Sequence, residues 1–163
     1  MQYDISVREV QPQLVLARHV LVEEVDLGST IGSTFGDAYG FLQRHGMEPA
    51  GAPFVIYHRQ PDGGSWEADI CAPVSRTATD APPGFIFQTI AGGLVATTLH
   101  RGPYSTLTTA YGALGDWMKE HAYQSAGSPR ELYMSDPDVP PDEIETVIEW
   151  PVVLADAPVG ATA

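Results

Sequence analysis

The feature that most constrains the fold is that the chain repeats itself. Displaced by 76 positions, Ile31 falls on Leu107, Phe35 on Tyr111, Ala38 on Leu114, Phe41 on Trp117 and His45 on His121. The same displacement lays AGAPFVIY on AGSPRELY and matches Pro53 with Pro129, Tyr57 with Tyr133 and Pro61 with Pro137. After a small gap, a displacement of 78 matches Ile70 with Ile148, Pro73 with Pro151 and Val74 with Val152. Two copies of one unit must bury two equivalent apolar faces, so a duplicated architecture is expected.

Each copy reads as β-β-α-β-β. Tyr3 to Val7 and Gln13 to Val22 are rich in β-branched and aliphatic residues and flank the turn-like Gln11-Pro12, which predicts two strands. Ile31, Thr34, Phe35, Ala38, Phe41, Leu42 and His45 recur at helical spacing, and Gly46 is a stop signal. Gly32, Gly36 and Gly40 interrupt that helix, and their low propensity suggests close packing. Phe54 to His58, a Pro61-Asp62-Gly63-Gly64 turn and Trp66 to Val74 read as a hairpin. Ser75 to Gly84 reads as a linker. The second copy supplies strands near Phe85 and from Gly93 to Tyr104, then a helix carrying Leu107, Ala110, Tyr111, Leu114, Trp117, Met118 and His121. The expected organisation is one domain over 1–154, with halves 1–74 and 85–153 joined by 75–84, and a frayed tail over 155–163. The fold class is α+β: antiparallel sheets, each covered on one face by one helix, around a shared central ligand groove.

Composition narrows the function. The chain has 163 residues, 44% of them apolar, and can bury a real core. A net charge of −13 argues against direct nucleic-acid binding, and serves either solubility or the attraction of cations. With no long apolar run, no signal-peptide pattern and a single cysteine, Cys71, the chain reads as cytoplasmic, without a membrane span or internal disulfide. Walker, GxGxxG and GxSxG motifs are absent, so nucleotide use and classical hydrolase chemistry have no support.

Alternation along a strand puts Glu131 and Tyr133 on one face, with Arg130, Leu132 and Met134 on the other. In the last strand Thr146, Ile148, Trp150 and Val152 share a face, and Val147, Glu149 and Pro151 the opposite one. If the larger apolar sets meet the helix, Glu131, Tyr133, Glu149 and Val147 face the groove. The repeat then adds Val55 and Tyr57 with Asp69 and Cys71. Trp66 is either a groove wall or a hairpin anchor. Carboxylates among tyrosines suit a cationic, aromatic or lipophilic molecule. His45 and His121 are expected to cap helix C-termini, and Trp117 and Met118 to fill the core. Cys71 is expected to be a buried small residue. His19, His58 and His100 show no metal-ligand spacing, so no metal site and no cofactor are expected.

The motifs HRGPY (His100 to Tyr104), RELYMSDP (Arg130 to Pro137) and TVIEWPV (Thr146 to Val152), with the Trp117 helix, resemble the GyrI-like or bacterial transcription activator effector-binding domain. The resemblance covers essentially the whole chain. It implies a duplicated SHS2-type fold whose cleft binds small organic molecules, often cationic and lipophilic, and it places the family's buried glutamate at Glu131. The closing motif often has an acid where this chain has Val147; here the acid is Glu149, two positions on. No helix-turn-helix is apparent, so a stand-alone form is expected.

The leading expectation is therefore a small-molecule-binding protein. The alternative is a hydrolase of electrophilic, cyclopropane-type compounds, with Glu131 as general base and Tyr133 or Tyr57 as hydrogen-bond donor. A third class is a module that binds a protein partner or forms a homodimer.

Overall fold

Strands form where β-branched and aliphatic residues cluster, and helices where apolar residues recur every three or four positions. The computed structural model describes residues 3–59, 64–136 and 138–155. Its elements are β1 (Ser6–Val10), β2 (Gln13–Glu23), α1 (Glu24–Arg44), β3 (Phe54–Arg59), β4 (Ser65–Pro73), β5 (Ile86–Ile90), β6 (Gly93–Arg101), α2 (Leu107–Glu120), β7 (Tyr123–Ser125), β8 (Arg130–Tyr133) and β9 (Glu145–Leu154). Single 3-10 turns lie at Tyr104–Thr106 and Pro141–Glu143. The α+β expectation holds, with antiparallel strand pairing and two helices. Pro61 to Gly63 of the expected hairpin turn, Pro137, and the tail from Asp156 lie outside the described residues.

The chain divides into two compact units, Gln11–Gly92 and Met1–Val10 with Gly93–Ala163, called here the N-terminal and C-terminal units. These do not follow the repeat boundaries, because β1 pairs with β6 and β5 pairs with β2. The links explain the exchange. A two-residue hairpin needs positive φ in its turn, and neither Gln11 nor Pro12 has it. Proline also fixes its own φ and removes a donor. β1 therefore does not turn back onto β2 and pairs instead with β6 of the second copy.

In the N-terminal unit the strand order is β3-β4-β2-β5, and one face is covered by α1. Thr34, Ala38, Phe41 and Leu42 are the buried positions of α1, and the last three pack with Leu16, Met47, Ala72, Val74 and Phe85. The 75–84 segment is held down, since Ala78 and Ala81 lie against this core. In the C-terminal unit the order is β1-β6-β9-β8, with β7 on the end of β9. Leu107, Ala110, Leu114 and Met118 of α2 pack on Ala96, Ile148 and Val152, with Trp117 beside them. Each fully buried Leu or Ile contributes roughly 2 kcal/mol, so these two cores carry most of the stability.

The glycine expectation fails. A Cβ at Gly32 or Gly36 would meet nothing within 4 Å, and at Gly40 only the flexible Arg44 guanidinium, at 3.3 Å. The glycines lie off the buried stripe, which Thr34, Ala38 and Phe41 occupy. The histidine caps are as expected: His45 Nδ1 donates to the Phe41 carbonyl at 3.0 Å, and His121 Nδ1 to that of Trp117 at 2.9 Å.

Candidate functional site

Glu131 sits on β8 opposite Ile148 of β9, so its side chain takes the face that Ile148 buries under α2. Here the expectation is corrected. β9 presents Thr146, Ile148, Trp150 and Val152 to the helix side, as foreseen, but β8 presents Glu131 and Tyr133 there instead of Leu132 and Met134. Met134 is half exposed. A carboxylate is tolerated under a helix because α2 supplies a hydroxyl to meet it: Tyr111 Oη donates to Oε2 at 2.7 Å. Tyr133 Oη donates to the other oxygen at 3.0 Å.

Glu131 is 8% exposed, and no Lys or Arg pairs with it among the described residues. Burial pushes its pKa up, against the Tyr111 and Tyr133 hydrogen bonds and the nearby His100, which pull it down. Aromatic rings surround it. Tyr104 stands edge-on to Tyr133 with centroids 5.9 Å apart, and Trp150 edge-on to Tyr111 at 6.0 Å. Burial, and then the charge of Glu131, raise the pKa of Tyr104.

His100 completes this face. The HRGPY turn works because Gly102 adopts φ 142°, and a Cβ there would sit 3.5 Å from both His100 Nε2 and Thr106 Oγ1. The ring of His100 is thereby fixed between Thr106 Oγ1, 2.9 Å from Nε2, and Tyr3 Oη, 2.8 Å from Nδ1. Thr146 lies opposite both His100 and Tyr133. Its hydroxyl is fully buried and has no hydrogen-bond partner among the described residues.

Glu149 is the contrasting acid. It is equally buried but on the opposite face, where Arg8 Nη2 reaches Oε2 at 2.6 Å and Arg130 Nε lies 3.5 Å from Oε1. Two cations already occupy that carboxylate, and Val147 shares its face, so neither joins Glu131. The same separation holds in the N-terminal unit. Val55 and Tyr57 lie opposite Ile70 and Ala68, on the helix side, and Tyr57 meets Trp66 edge-on at 5.5 Å. Asp69 and Cys71 lie on the other face, opposite His19 and Ala17. The expected grouping of Val55 and Tyr57 with Asp69 and Cys71 is therefore corrected. Cys71 is fully buried, as foreseen. Asp69 meets His19 and His58, a convergence that spacing along the chain did not suggest.

A model of the GyrI-like small molecule binding domain family matches residues 3–153. The chain belongs to that family. No curated protein matches it in sequence. Among solved structures, the EcmrR C-terminal domain superposes with a TM-score of 0.78 at 24% identity, covering 94% of this chain and 99% of that one. A hydrolase from Listeria innocua gives 0.70 at 14%, covering 91% of each chain. SAV2435 bound to tetraphenylphosphonium gives 0.61 at 13%, covering 94% of each. At these identities the likeness establishes the fold.

Sequence reasoning on this GyrI-like chain missed Tyr111, Tyr104, His100 and Thr146 as neighbours of the glutamate. The repeat held a usable signal for the first. Where the first copy has Phe35 and Val55, the second has Tyr111 and Glu131, so the hydroxyl and the carboxylate occur together in the same copy. No helix among the described residues is long and apolar enough to cross a membrane. A concavity of about 360 Å3 in the N-terminal unit, lined by Arg18, Asp37, Arg44 and Phe85, does not involve Glu131. Its Arg18 is already committed to Thr34, the Pro83 carbonyl and the Phe85 ring.

Proposed function

We propose that this GyrI-like domain binds small organic cations with aromatic or lipophilic bodies, and that Glu131 is their counter-ion. The observation that carries the reading is a buried carboxylate held by tyrosine hydroxyls and rings, with no Lys or Arg paired to it among the described residues, in contrast to the buried Glu149, which has two arginines. A desolvated acid of this kind gains most from a cation that brings its own apolar surface, and tyrosine faces attract such a cation. The unpartnered Thr146 hydroxyl offers a further polar contact. Tyr104, half exposed and on a single 3-10 turn, is the ring that moves to admit the ligand. The fold neighbour bound to tetraphenylphosphonium supports this ligand class.

The test is titration with tetraphenylphosphonium and with neutral triphenylphosphine oxide. Glu131→Gln weakens the cation by about 1–3 kcal/mol, the range for a buried charged group losing its partner, and leaves the neutral compound unchanged. Equal cation affinity in both proteins sinks the reading.

The raised pKa of Glu131 favours a second reading, hydrolysis of electrophilic, cyclopropane-type compounds with Glu131 as general base. Turnover of such a compound by the wild type, abolished in Glu131→Gln, separates catalysis from capture.

A further inference from the structure

On the sheet face of the N-terminal unit away from α1, three adjacent strands bring His19, Asp69 and His58 together. His19 of β2 lies directly opposite Asp69 of β4. His58 belongs to β3, whose register slips between Tyr57 and Arg59. A bulge of this kind re-aims a side chain, and here it turns the His58 ring onto the same carboxylate. His19 Nδ1 lies 2.6 Å from Asp69 Oδ1, and His58 Nε2 lies 2.8 Å from Oδ2. One donor atom from each residue falls within 4.8 Å of the others.

We propose that His19, His58 and Asp69 bind a divalent first-row transition metal of the zinc type. Two imidazoles and one carboxylate are a donor set that such ions take up with a coordination position left open. Metal–ligand bonds of about 2.0–2.2 Å put the donors of a tetrahedral site roughly 3.4 Å apart, so the two histidine–carboxylate contacts open by less than about 1 Å while the wider separations in the cluster, which reach no more than 4.8 Å, close. The surroundings carry the outer layer as well. His19 Nε2, the nitrogen turned away from Asp69, lies 3.0 Å from Glu67 Oε2. A carboxylate on the far nitrogen is the usual partner of a metal-ligating histidine: it fixes the tautomer and raises ligand basicity.

Access is open. The side chains of His19, His58 and Asp69 are 56%, 33% and 16% exposed, so an ion enters without local unfolding and keeps water in its remaining positions.

The experiment is chelator-stripped full-length protein titrated with zinc chloride by calorimetry, and with cobalt chloride by visible absorption. The expected result is one ion per chain, with the cobalt band of a low-coordinate nitrogen and oxygen site. Affinity falls at least tenfold in His58→Gln and in Asp69→Asn and is unchanged in His121→Gln. Thermal melts in chelator confirm that each variant is folded, and His58→Gln, at the surface, remains decisive if Asp69→Asn is not. No stoichiometric binding at tens of micromolar metal, or binding unaltered by both substitutions, overturns the proposal.

Discussion

The two copies share one frame and have specialised opposite faces of it. The cross-strand pair Arg18–Ile70 in the first copy corresponds to Thr98–Ile148 in the second. Counting outward from there, on the helix side Val20, Ala68, Val55 and Phe35 become His100, Thr146, Glu131 and Tyr111. On the other side the direction reverses, and His19, Asp69 and His58 become Leu99, Val147 and Met134. Each copy thus carries one polar cluster, and each cluster has an apolar counterpart in the other copy. Each cluster places polar groups on a single face of its unit, while the apolar contacts of the remaining surfaces offset the cost of burying them.

The severest way to break the comparison is to write the glutamate into the wrong copy. Val55 is fully buried, and the first copy has Phe35 at the position that matches Tyr111. Val55→Glu alone lowers stability by about 3–5 kcal/mol, the cost of an uncompensated buried charge. Adding Phe35→Tyr recovers about 1–2 kcal/mol by restoring a hydrogen bond to that charge. Urea melts of the two single variants and the double variant measure the coupling. Strict additivity would show that the hydroxyl and the carboxylate do not act as a unit.

That coupling also marks the limit of what the residues reveal unaided. Both helices, the histidine caps and four strands in each copy were legible because they rest on local periodicity, whereas the short β7 was not foreseen. The exchange of β1 and β5 was not, since which strand a neighbour pairs with is a long-range choice. Glu131 was recognised, but on the wrong face. The rule that the larger apolar set meets the helix worked for β9, with Ile148 and Trp150, and failed for β8. There Tyr111 reaches across from α2, and a helix hydroxyl has no signature in the strand it meets. His19, His58 and Asp69 escaped notice for the same reason: their closeness is cross-strand and depends on a bulge.

A second contrast lies between the two buried acids of the C-terminal unit. Folding raises the pKa of Glu131, so its contribution to stability is fully present below the ordinary glutamate range and is lost as pH rises through the raised value. Glu131→Gln removes this dependence. The variant is expected to match or fall below the wild type near pH 4 and to exceed it near pH 7.5. A gap that is the same at both values would show that Glu131 is not held against its charge. The variant that gains stability is also the one expected to lose cation affinity, and that combination separates a ligand site from a structural acid.

The smallest effect sharpens the likeness of the copies at the C-termini of the two helices. Both helices end in histidine, followed by a residue in the left-handed region: Gly46 at φ 62° and Ala122 at φ 61°. In α1 the closing bonds run from Met47 N–H to the Leu42 carbonyl at 2.9 Å and from Gly46 N–H to that of Gln43 at 3.2 Å, the Schellman pattern that glycine serves best. In α2 the corresponding bond from Ala122 N–H to the Lys119 carbonyl is 3.3 Å long, and the Cβ of alanine is strained at that φ. Ala122→Gly should therefore raise stability by about 0.5–1 kcal/mol and Gly46→Ala lower it by about 1 kcal/mol. Nothing lies within 4 Å of a Cβ at Gly46, so the second effect isolates backbone strain from packing. Thermal melts of both variants check the pair, and effects of equal sign would show that the two C-termini, alike in geometry, are not alike in energy.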